Sequence, residues 1–476
     1  MKSRIALMLI VFFTQSNVGI CQKIGFTDAA QFGFLPQASG IQNAKALQKA
    51  LTIGGTIVVS KPGIYKMAET VYISSNTTLD FGNGVFLKKV DEQGAFTHVI
   101  LNKGALTKTY DQNIGIKGLN IIVNGIDKAF SEVYGLRGQL AFFYAKDIRI
   151  ERFRCMDLTK MQFGIHVCSF EDLIIDDVII KGEKDGVHLG RGERFTIKNG
   201  VFQTFDDAIA LNAHDYATSN PELGWIENGV IENCHDLNAE NTVGYFCRIL
   251  AGAWTDWKEG MEVQQSDAVV SNGKIYRVQA KADGTKYISN TKPTHLGGSQ
   301  ILDGINWGVV QDDVTYTAGV RNVIFRNIFL EKPRIGLSIH FDNDRYSRSY
   351  YPNAPIPLQE NLSFDNVQIL HDKPVPFLVI ATPVDLVTIR NSSIRNNPIK
   401  FVSNKAMTDY MKTIIHLYGC SFDVNGVFEL LHNDVEGKKI HLKTSNNVEL
   451  GENFAAKVYA GKGDLIIDSD LKGLKK

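Results

Sequence analysis

Residues 195–202, Phe-Thr-Ile-Lys-Asn-Gly-Val-Phe, contain two strings of β-branched or aromatic residues separated by an asparagine-bearing turn. A similar string begins 22 residues earlier, at Leu173, which is about the length of one coil of a β-solenoid. Asparagine suits such turns because it tolerates the left-handed backbone conformation. The repeat predicts an all-β chain that folds as a right-handed parallel β-helix. Further strings of this kind begin at Ile114, Ile148, Val323, Leu362, Val387 and Ile414.

A β-sandwich is the alternative fold, but its strands would recur at hairpin length rather than at coil length. One segment carries a helical pattern instead, because Ala44, Leu47 and Leu51 share one face of residues 41–51. We expect this short N-terminal helix to cap the end of the stack, where unpaired backbone groups would otherwise invite aggregation.

Residues 254–312 interrupt the repeat and contain three of the four tryptophans. The Asn-Gly pair at 272–273 is a hairpin signal. The order Trp, Gly, Val, Asn-Gly-Lys-x-Tyr, Pro, Trp resembles that of small three-stranded carbohydrate-binding modules. We therefore expect residues 22–253 and 313–476 to form the β-helix. The segment between them is expected to be a small inserted β module, which either contacts glycan or only packs around its tryptophans.

The N-terminus is typical of a secretory signal peptide. Lys2 and Arg4 precede residues 5–13, which are almost all apolar. We expect cleavage after Cys21, which would remove residues 1–21, and lipid attachment at Cys21 is the alternative. No later stretch has the ~20 apolar residues that a membrane helix needs. The sequence therefore predicts a secreted or periplasmic protein without a membrane span.

Charged residues balance, with 51 lysine plus arginine and 51 aspartate plus glutamate. This neutrality argues against nucleic acid as a partner, because proteins that bind it present a basic surface. The five cysteines after position 21 are odd in number and scattered. They predict buried small hydrophobes rather than a disulfide framework. No spacing of cysteine and histidine indicates zinc, and we expect a monomer without metal or other cofactor.

Three aspartates recur at the coil spacing. Asp185 opens the string Asp-Gly-Val-His-Leu, and Asp207 follows 22 residues later, directly after Asp206. Neighbouring coils lie roughly 5 Å apart, so the three carboxyl groups should meet. Like charges at that distance raise one another's pKa. Acid and base pairs that hydrolyse sugars are built in this way.

The same residues resemble the motifs of polygalacturonases, glycoside hydrolase family 28. That family carries Asn-Thr-Asp-Gly and, one coil later, Gly-Asp-Asp, whereas residues 183–186 and 205–208 read Glu-Lys-Asp-Gly and Phe-Asp-Asp-Ala. The resemblance implies that Asp206 is the general acid and that Asp185 and Asp207 activate a water on the opposite face. It also implies an inverting enzyme, whose carboxyl groups stand far enough apart to admit that water.

Two other polygalacturonase motifs do not match. The family carries Gly-His-Gly one coil later, where this chain has Tyr245. It also carries Arg-Ile-Lys, which grips the galacturonate carboxylate. Here Arg248 lacks the lysine, and the competing segment 336–340 lacks both cations. Because paired cations supply charge-assisted hydrogen bonds to a carboxylate, the motif supports the aspartates better than it supports galacturonate. Tyr245 and Arg248 remain candidates for substrate binding.

The chain also resembles the β-helical α-1,3-galactosidases of glycoside hydrolase family 110. These enzymes pair an Asp-x-x-His strand with a later Asp-Asp-Ala-Ile, and residues 185–188 and 206–209 fit that pattern. They also carry inserted β modules near the site. Their neutral substrates would suit the missing Arg-Ile-Lys clamp.

Five further polar residues are candidates for substrate binding. His188 should point outward from its strand, and His214 follows the second aspartate string. His340, Asp342 and Arg345 belong to an unusually polar strand end. The alternative for the histidines and arginine is an ordinary solvated side chain. The acids near Asp342 form only an incomplete calcium loop, so we assign them no metal.

The sequence therefore predicts a secreted, metal-independent inverting glycoside hydrolase that cleaves a polysaccharide or oligosaccharide, with a pectin-related glycan preferred. The alternatives are an exo-acting α-galactosidase on neutral glycans, a polysaccharide lyase on the same scaffold and a non-catalytic glycan-binding β-helix. A lyase would need a calcium-neutralised uronate, and a binding protein would show no turnover. The fold alone does not decide among them, but the spacing of Asp185, Asp206 and Asp207 favours hydrolysis.

Overall fold

The computed structural model describes residues 25–128, 132–239, 242–402 and 412–475. Most of the described strands belong to one sheet of 31 strands, in which each coil pairs in parallel with the next. The repeated strings stack in register, since Leu173 lies between Ile148 of the preceding coil and Phe195 of the following coil. This stacking confirms the right-handed parallel β-helix.

The chain enters the solenoid through short strands and one helix, and then forms long strands that bend around the coil. The elements before the insertion are β1 (Phe26–Asp28), a 3₁₀ turn (Ala29–Phe32), α1 (Gly40–Leu51), β2 (Gly55–Val59), β3 (Gly63–Met67), β4 (Val71–Ile73), β5 (Thr77–Phe81), β6 (Val85–Lys89), β7 (Ile100–Asn102), a second 3₁₀ turn (Lys103–Leu106), β8 (Asp111–Lys117), β9 (Asn120–Ile122), β10 (Gly138–Leu158), β11 (Phe163–Gly182), β12 (Val187–Leu189), β13 (Gly192–Thr204), β14 (Ile209–Asn212), β15 (Ile226–Asp236) and β16 (Cys247–Leu250).

The remaining strands form the inserted module and the C-terminal coils. Those of the module are β17 (Gly252–Ala253), β18 (Thr255–Asp256), β19 (Met261–Gln264), β20 (Ala268–Ser271), β21 (Lys274–Val278), β22 (Lys286–Ser289), β23 (Ser299–Leu302), β24 (Ile305–Gln311) and β25 (Thr317–Ala318). Those of the C-terminal coils are β26 (Val320–Leu330), β27 (Leu337–His340), β28 (Glu360–Ile369), β29 (Leu378–Ile380), β30 (Leu386–Arg390), β31 (Ser393–Ile394), β32 (Ile399–Phe401), β33 (Thr413–Tyr418), β34 (Ser421–Phe422), β35 (Val427–Asn433), β36 (Lys439–Ser445), β37 (Val448–Glu449), β38 (Ala455–Tyr459), β39 (Asp464–Asp468) and β40 (Leu474–Lys475).

Asparagine side chains form ladders along the turns of the coils. The Asn327 side-chain amide donates to Asn233 and accepts from Asn366, in each case at 2.9 Å. All three residues adopt a positive φ of 53° to 55°. The turn therefore needs a residue that tolerates the left-handed region and can satisfy its own polar groups, and asparagine does both. A second ladder joins Asn228, Asn322 and Asn361.

The capping helix α1 forms where the sequence predicts it. Ser39 accepts a hydrogen bond from the Gln42 nitrogen, and the Gln42 side chain accepts one from the Ser39 nitrogen, so the pair forms a capping box. Ala44, Leu47 and Leu51 are buried and join the apolar core that runs through the solenoid. Burial of this face covers the first coil and ends the stack.

The inserted module leaves the solenoid after β16 and returns at β26. Gly252 and Ala253 pair in antiparallel fashion with Ala318 and Thr317, which closes the base of the module. Beyond this base, β18, β20, β21, β24 and β23 form a five-stranded sheet. The interruption thus extends a few residues beyond the expected 254–312 at both ends.

The five cysteines of the described chain are buried and unpaired, as their spacing predicts. The predicted signal peptide, residues 1–21, lies outside the described residues. Within the described part of the chain, no helix is long and apolar enough to cross a bilayer.

Candidate active site

Asp185 and Asp207 occupy the same position on two adjacent coils, immediately before β12 and β14. The Gly186 nitrogen donates a 2.9 Å hydrogen bond to the Asp207 carbonyl oxygen, which sets this register. Asp206 precedes Asp207 and lies beside them. The stacking brings one carboxylate oxygen from each aspartate within 4.8 Å of the others. We call Asp185, Asp206 and Asp207 the carboxylate cluster.

The separation of the carboxyl groups bears on whether a glycoside hydrolase inverts or retains the configuration of the anomeric carbon. Inverting enzymes separate their two carboxyl groups by about 6.5–9.5 Å, which leaves room for the attacking water. The nearest oxygens of this cluster lie within 4.8 Å. This distance joins the nearest oxygens and not the centres of the carboxyl groups, so the separation expected for inversion stays a prediction.

Two of the three carboxyl groups favour the protonated form. Burial raises the pKa of Asp185 to about 7, and the negative charge of Asp206 adds to the effect. Burial also raises the pKa of Asp207 well above its ordinary value, again assisted by its two neighbours, although the Tyr245 nitrogen donates a 2.7 Å hydrogen bond to its Oδ1. The cluster thus retains protons at a pH where isolated aspartates have lost them.

Asp206 favours the ionised form instead. Burial would raise its pKa, but the Lys184 ammonium, which donates a hydrogen bond to Asp206 Oδ2, lowers the pKa below the ordinary value. This result is opposite to the protonation implied for a general acid at Asp206. The reason is Lys184, which occupies the position where the polygalacturonase motif has threonine.

A second cation reaches Asp206 from two coils away. Arg334 Nη1 donates a 3.3 Å hydrogen bond to the Asp206 carbonyl oxygen. Gly244 lies between them, and a Cβ at this position would stand 2.3 Å from the Asp206 carbonyl carbon. Position 244 therefore requires a glycine. The histidine of the polygalacturonase motif Gly-His-Gly is replaced beside it by Tyr245. Neither Lys184 nor Arg334 was singled out from the sequence.

Arg248 and Asp342, both candidates from the sequence, form an ion pair of 2.5 Å. His340 supports the pair, since its Nε2 lies 3.5 Å from Asp342 Oδ1 and its Nδ1 lies 2.9 Å from Ser338 Oγ. The Tyr245 ring is 5.7 Å from the His340 ring. Four of the predicted binding residues, Tyr245, Arg248, His340 and Asp342, thus meet beside the carboxylate cluster, although they come from two separate parts of the chain.

His188 contacts the cluster directly and is fully buried. Its Nδ1 lies 2.9 Å from Asp185 Oδ2, and its ring stacks on Phe163 with centroids 4.3 Å apart. Burial lowers the pKa of His188 to about 3, so the ring is neutral beside Asp185. His188 points away from the apolar core, as expected, but the solvated alternative is wrong, because Phe163 and His166 cover its ring.

His214 and Arg345 are not part of this arrangement. His214 is buried, packs against Gly252 and lies 5.9 Å from the Trp254 ring. Arg345 is exposed, and its guanidinium lies 4.6 Å above the Tyr346 ring. Their described contacts are with these neighbours rather than with the carboxylate cluster, so the structure does not bring either predicted residue into it.

A loop beside the cluster is held by the inserted module. Arg277 of β21 is buried, and its guanidinium donates hydrogen bonds to the carbonyl oxygens of Asp215 at 2.9 Å and Asn220 at 2.7 Å. The same loop carries Tyr216, whose hydroxyl accepts a 3.2 Å hydrogen bond from Arg137. No feature of the sequence marked Arg277, since its partners are backbone atoms that only the fold brings close.

The tryptophans of the module are packed inside. Trp254 and Trp307 are fully buried, and Trp257 is half-buried with its indole nitrogen donating a 2.8 Å hydrogen bond to Ser289. Stacking on a sugar needs an accessible ring face. These three rings therefore support the structural interpretation of the module rather than an exposed aromatic platform.

The oxygens of the carboxylate cluster are close enough to share a cation. Lys184 already bonds to Asp206, and His188 bonds to one oxygen of Asp185. Proximity of acidic groups alone does not identify a metal site, so we assign none.

No protein-family model matches the chain, and no curated protein sequence matches it. Similar solved structures include a family 28 exopolygalacturonase from Yersinia enterocolitica, at 13% identity over 87% of this chain and 78% of that chain, with a TM-score of 0.45. The catalytic unit of a GH87 α-1,3-glucanase from Streptomyces thermodiastaticus is 13% identical over 96% and 69%, with a TM-score of 0.48. A surface adhesin of Streptococcus pneumoniae is 12% identical over 89% and 91%, with a TM-score of 0.44. At these identities and TM-scores, the likenesses assign neither an activity nor a substrate.

Proposed function

We propose that the protein is an exported glycoside hydrolase that cleaves an acidic, pectin-related glycan. One observation carries the proposal: three carboxyl groups from adjacent coils bring one oxygen each within 4.8 Å, and their surroundings shift their pKa values in opposite directions. Hydrolysis of a glycosidic bond needs one carboxyl group that gives a proton and one that takes a proton from water or attacks the sugar itself. A cluster in which a carboxyl group that favours the protonated form contacts one that favours the ionised form can supply both groups.

Cations around the cluster support an acidic substrate. Lys184 and Arg334 contact Asp206, and Arg248 lies close enough to lower the pKa of Asp206 and Asp185 against the effect of burial. The Arg-Ile-Lys clamp is absent from the sequence, but these three side chains supply positive charge from different coils. A uronate carboxylate could form charge-assisted hydrogen bonds with such groups.

In the proposed reaction, a protonated carboxyl group gives its proton to the glycosidic oxygen as the bond from that oxygen to the anomeric carbon breaks. A water adds to the anomeric carbon and gives its proton to an ionised carboxylate. The motif resemblance supports inversion at this carbon. The first sugar anomer released, observed by proton NMR, decides between inversion and retention.

A second candidate is an α-galactosidase-type hydrolase acting on neutral glycans. The hydrogen bond between Asp185 and His188, at 2.9 Å, joins the two residues that carry that resemblance. Acidic and neutral substrates should therefore be compared in one assay. For the acidic proposal, release from pectic galacturonans must exceed release from α-galactosides.

The test is the release of reducing ends from pectins, galactans and α-galactosides by the wild type, Asp206→Asn and Asp185→Asn. We expect activity on one glycan class that falls by at least about a hundredfold in both variants. The matched control is Asp172→Asn, because Asp172 pairs with Arg194 on the solvent-exposed surface. Retention of activity in Asp206→Asn and Asp185→Asn would contradict the assignment of the cluster.

The form of the products separates hydrolysis from the remaining alternatives. An unsaturated uronate product would identify a lyase, and binding without turnover would identify a glycan-binding β-helix. Export is supported by the apolar segment of residues 5–13. Detection of the protein outside the cytoplasm, and of a single chain by light scattering, would test the proposed export and the expected monomer.

A further inference from the structure

Among the described residues, Lys184 is the cation whose side chain bonds to a cluster carboxylate on the open side of the cluster. Its Nζ donates to Asp206 Oδ2 and lies 3.9 Å from Asp185 Oδ1. The side chains of Lys184 and Asp206 are 21% and 26% exposed, whereas that of Asp185 is 6% exposed. A ligand that approaches the cluster therefore meets the Lys184–Asp206 pair before it meets Asp185.

This pair keeps Asp206 from acting as an acid. The charged groups that face Asp206 are Lys184, its neighbours Asp185 and Asp207, and Arg248, while Arg334 bonds to its carbonyl oxygen. Lys184 and Arg248 lower the pKa of Asp206 more than burial raises it, which favours the ionised form. Burial raises the pKa of Asp185 and Asp207, which favours their protonated form. The most accessible carboxyl group thus lacks the proton that cleavage requires.

We propose that an anionic sugar activates its own cleavage by drawing Lys184 away from Asp206, so that a proton moves from Asp185 to Asp206. The inference rests on the proposed function and adds a substrate requirement to it. The substrate carboxylate accepts the Lys184 hydrogen bond and replaces Asp206 as its partner. A neutral sugar offers no such partner and leaves the ion pair intact.

The proton balance closes over one turnover. As Lys184 leaves, the O–H bond on Asp185 breaks and an O–H bond forms on Asp206, across the contact between the two carboxyl groups. Asp206 then gives this proton to the glycosidic oxygen, which takes the electron pair of the breaking bond to the anomeric carbon. Water supplies hydroxide to that carbon and its remaining proton to Asp185. Both carboxyl groups return to their starting states, so no further reactant is required.

The test compares one glycan in two charge states, polygalacturonan in its free-acid form and in its methyl-esterified form. We expect the wild type to cleave the acid form at least about a hundredfold faster. In Lys184→Met, Asp206 loses the ammonium group that bonds to it and can hold a proton more readily. Cleavage of the ester should therefore rise at least about tenfold above the wild-type rate. The alkaline limb of the ester pH profile should also move to higher pH, and the KM for the acid form should increase.

Two further variants make the result decisive. Lys160 is exposed and pairs with Glu183, the residue that precedes Lys184, so Lys160→Met should retain the wild-type preference. Lys184→Gln also removes the charge but keeps a polar side chain, and it replaces Lys184→Met in the test if Lys184→Met does not fold. Equal losses on both glycans in the folded Lys184 variants, or no preference in the wild type, would overturn the inference and leave hydrolysis standing. No cleavage of any glycan by the wild type would remove the proposed function and the inference together.

Discussion

Arg277 donates a 2.7 Å hydrogen bond to the carbonyl oxygen of Asn220, and this contact joins the inserted module to the loop beside the carboxylate cluster. The guanidinium is buried, and its second hydrogen bond goes to the Asp215 carbonyl oxygen. A charged donor that holds two backbone carbonyls fixes the path of the loop between them. The module thus contributes to the position of this loop through a buried contact.

We expect Arg277→Met to lower kcat/KM by about tenfold or more, because loss of the two hydrogen bonds frees the loop that carries Tyr216. The measurement is steady-state kinetics below the melting temperature of the variant. Arg277→Lys retains the charge and should recover part of the loss. Lys286→Met is the control, since Lys286 belongs to the same module and pairs with Glu262 at its surface. An unchanged kcat/KM in folded Arg277→Met would contradict a positioning role.

His188→Leu should lower kcat by roughly tenfold to a hundredfold, because it removes the hydrogen-bond partner that orients Asp185. His188→Asn retains a donor near the same position and should keep more activity. Burial lowers the pKa of His188 to about 3, so the ring stays neutral above that pH. The pH–rate profiles of the wild type and His188→Asn should therefore have the same limbs. A limb that is present in the wild type and absent from His188→Asn would show that His188 titrates during the reaction.

Asp185→Asn should stabilise the protein at alkaline pH. Folding raises the pKa of Asp185 to about 7, so the folded state holds a proton that the unfolded chain has released. The contribution of Asp185 to stability is fully present below the unfolded pKa and is lost as the pH rises through about 7. An asparagine does not titrate, and the variant should gain at most roughly 4 kcal/mol at about pH 8.

Chemical denaturation at several pH values tests this expectation. The gain of Asp185→Asn should shrink as the pH falls towards about 4. Asp172 gives the matched comparison with opposite sign, because its hydrogen bond with Arg194 lowers its pKa. Asp172→Asn should therefore lose stability at about pH 8 rather than gain it. A gain in Asp185→Asn that did not depend on pH would contradict the titration argument.

Asn327→Val should destabilise the solenoid more than Asn327→Gly. Both variants lose the side-chain hydrogen bonds to Asn233 and Asn366, which contribute about 1 kcal/mol each. Only valine must also adopt a φ of 53°, which costs a β-branched residue roughly 1–3 kcal/mol more. Denaturant unfolding of the two variants measures this difference. Equal losses would show that the ladder, and not the backbone conformation, accounts for the asparagines.

Much of the fold was predictable because a solenoid repeats itself. The 22-residue step from Leu173 to Phe195 is also the step between paired positions of adjacent coils, so local spacing and tertiary register agree. The helical face of Ala44, Leu47 and Leu51 likewise identified the cap. By the same reasoning, the meeting of Asp185 with Asp206 and Asp207 followed from spacing alone.

The partners of those aspartates were not predictable in this way. Arg248 pairs with Asp342 from 94 residues away, and Arg334 reaches Asp206 from 128 residues away. The inserted module lies between the members of the first pair, so no fixed step relates them. The burial of His188 also depends on Phe163, which belongs to the preceding coil. Alternation along the strand identified its outward direction but not the ring that covers it.

The sequence by itself determined the coil, the cap and the position of three aspartates on adjacent coils, because each depends on a repeat or a period along the chain. Only the tertiary structure decided which of these aspartates is ionised. The pKa of a carboxyl group depends on its burial and on the charges within a few ångströms. For Asp206 the deciding charge is Lys184, and the burial of Asp185 and Asp207 exists only once the coils have stacked.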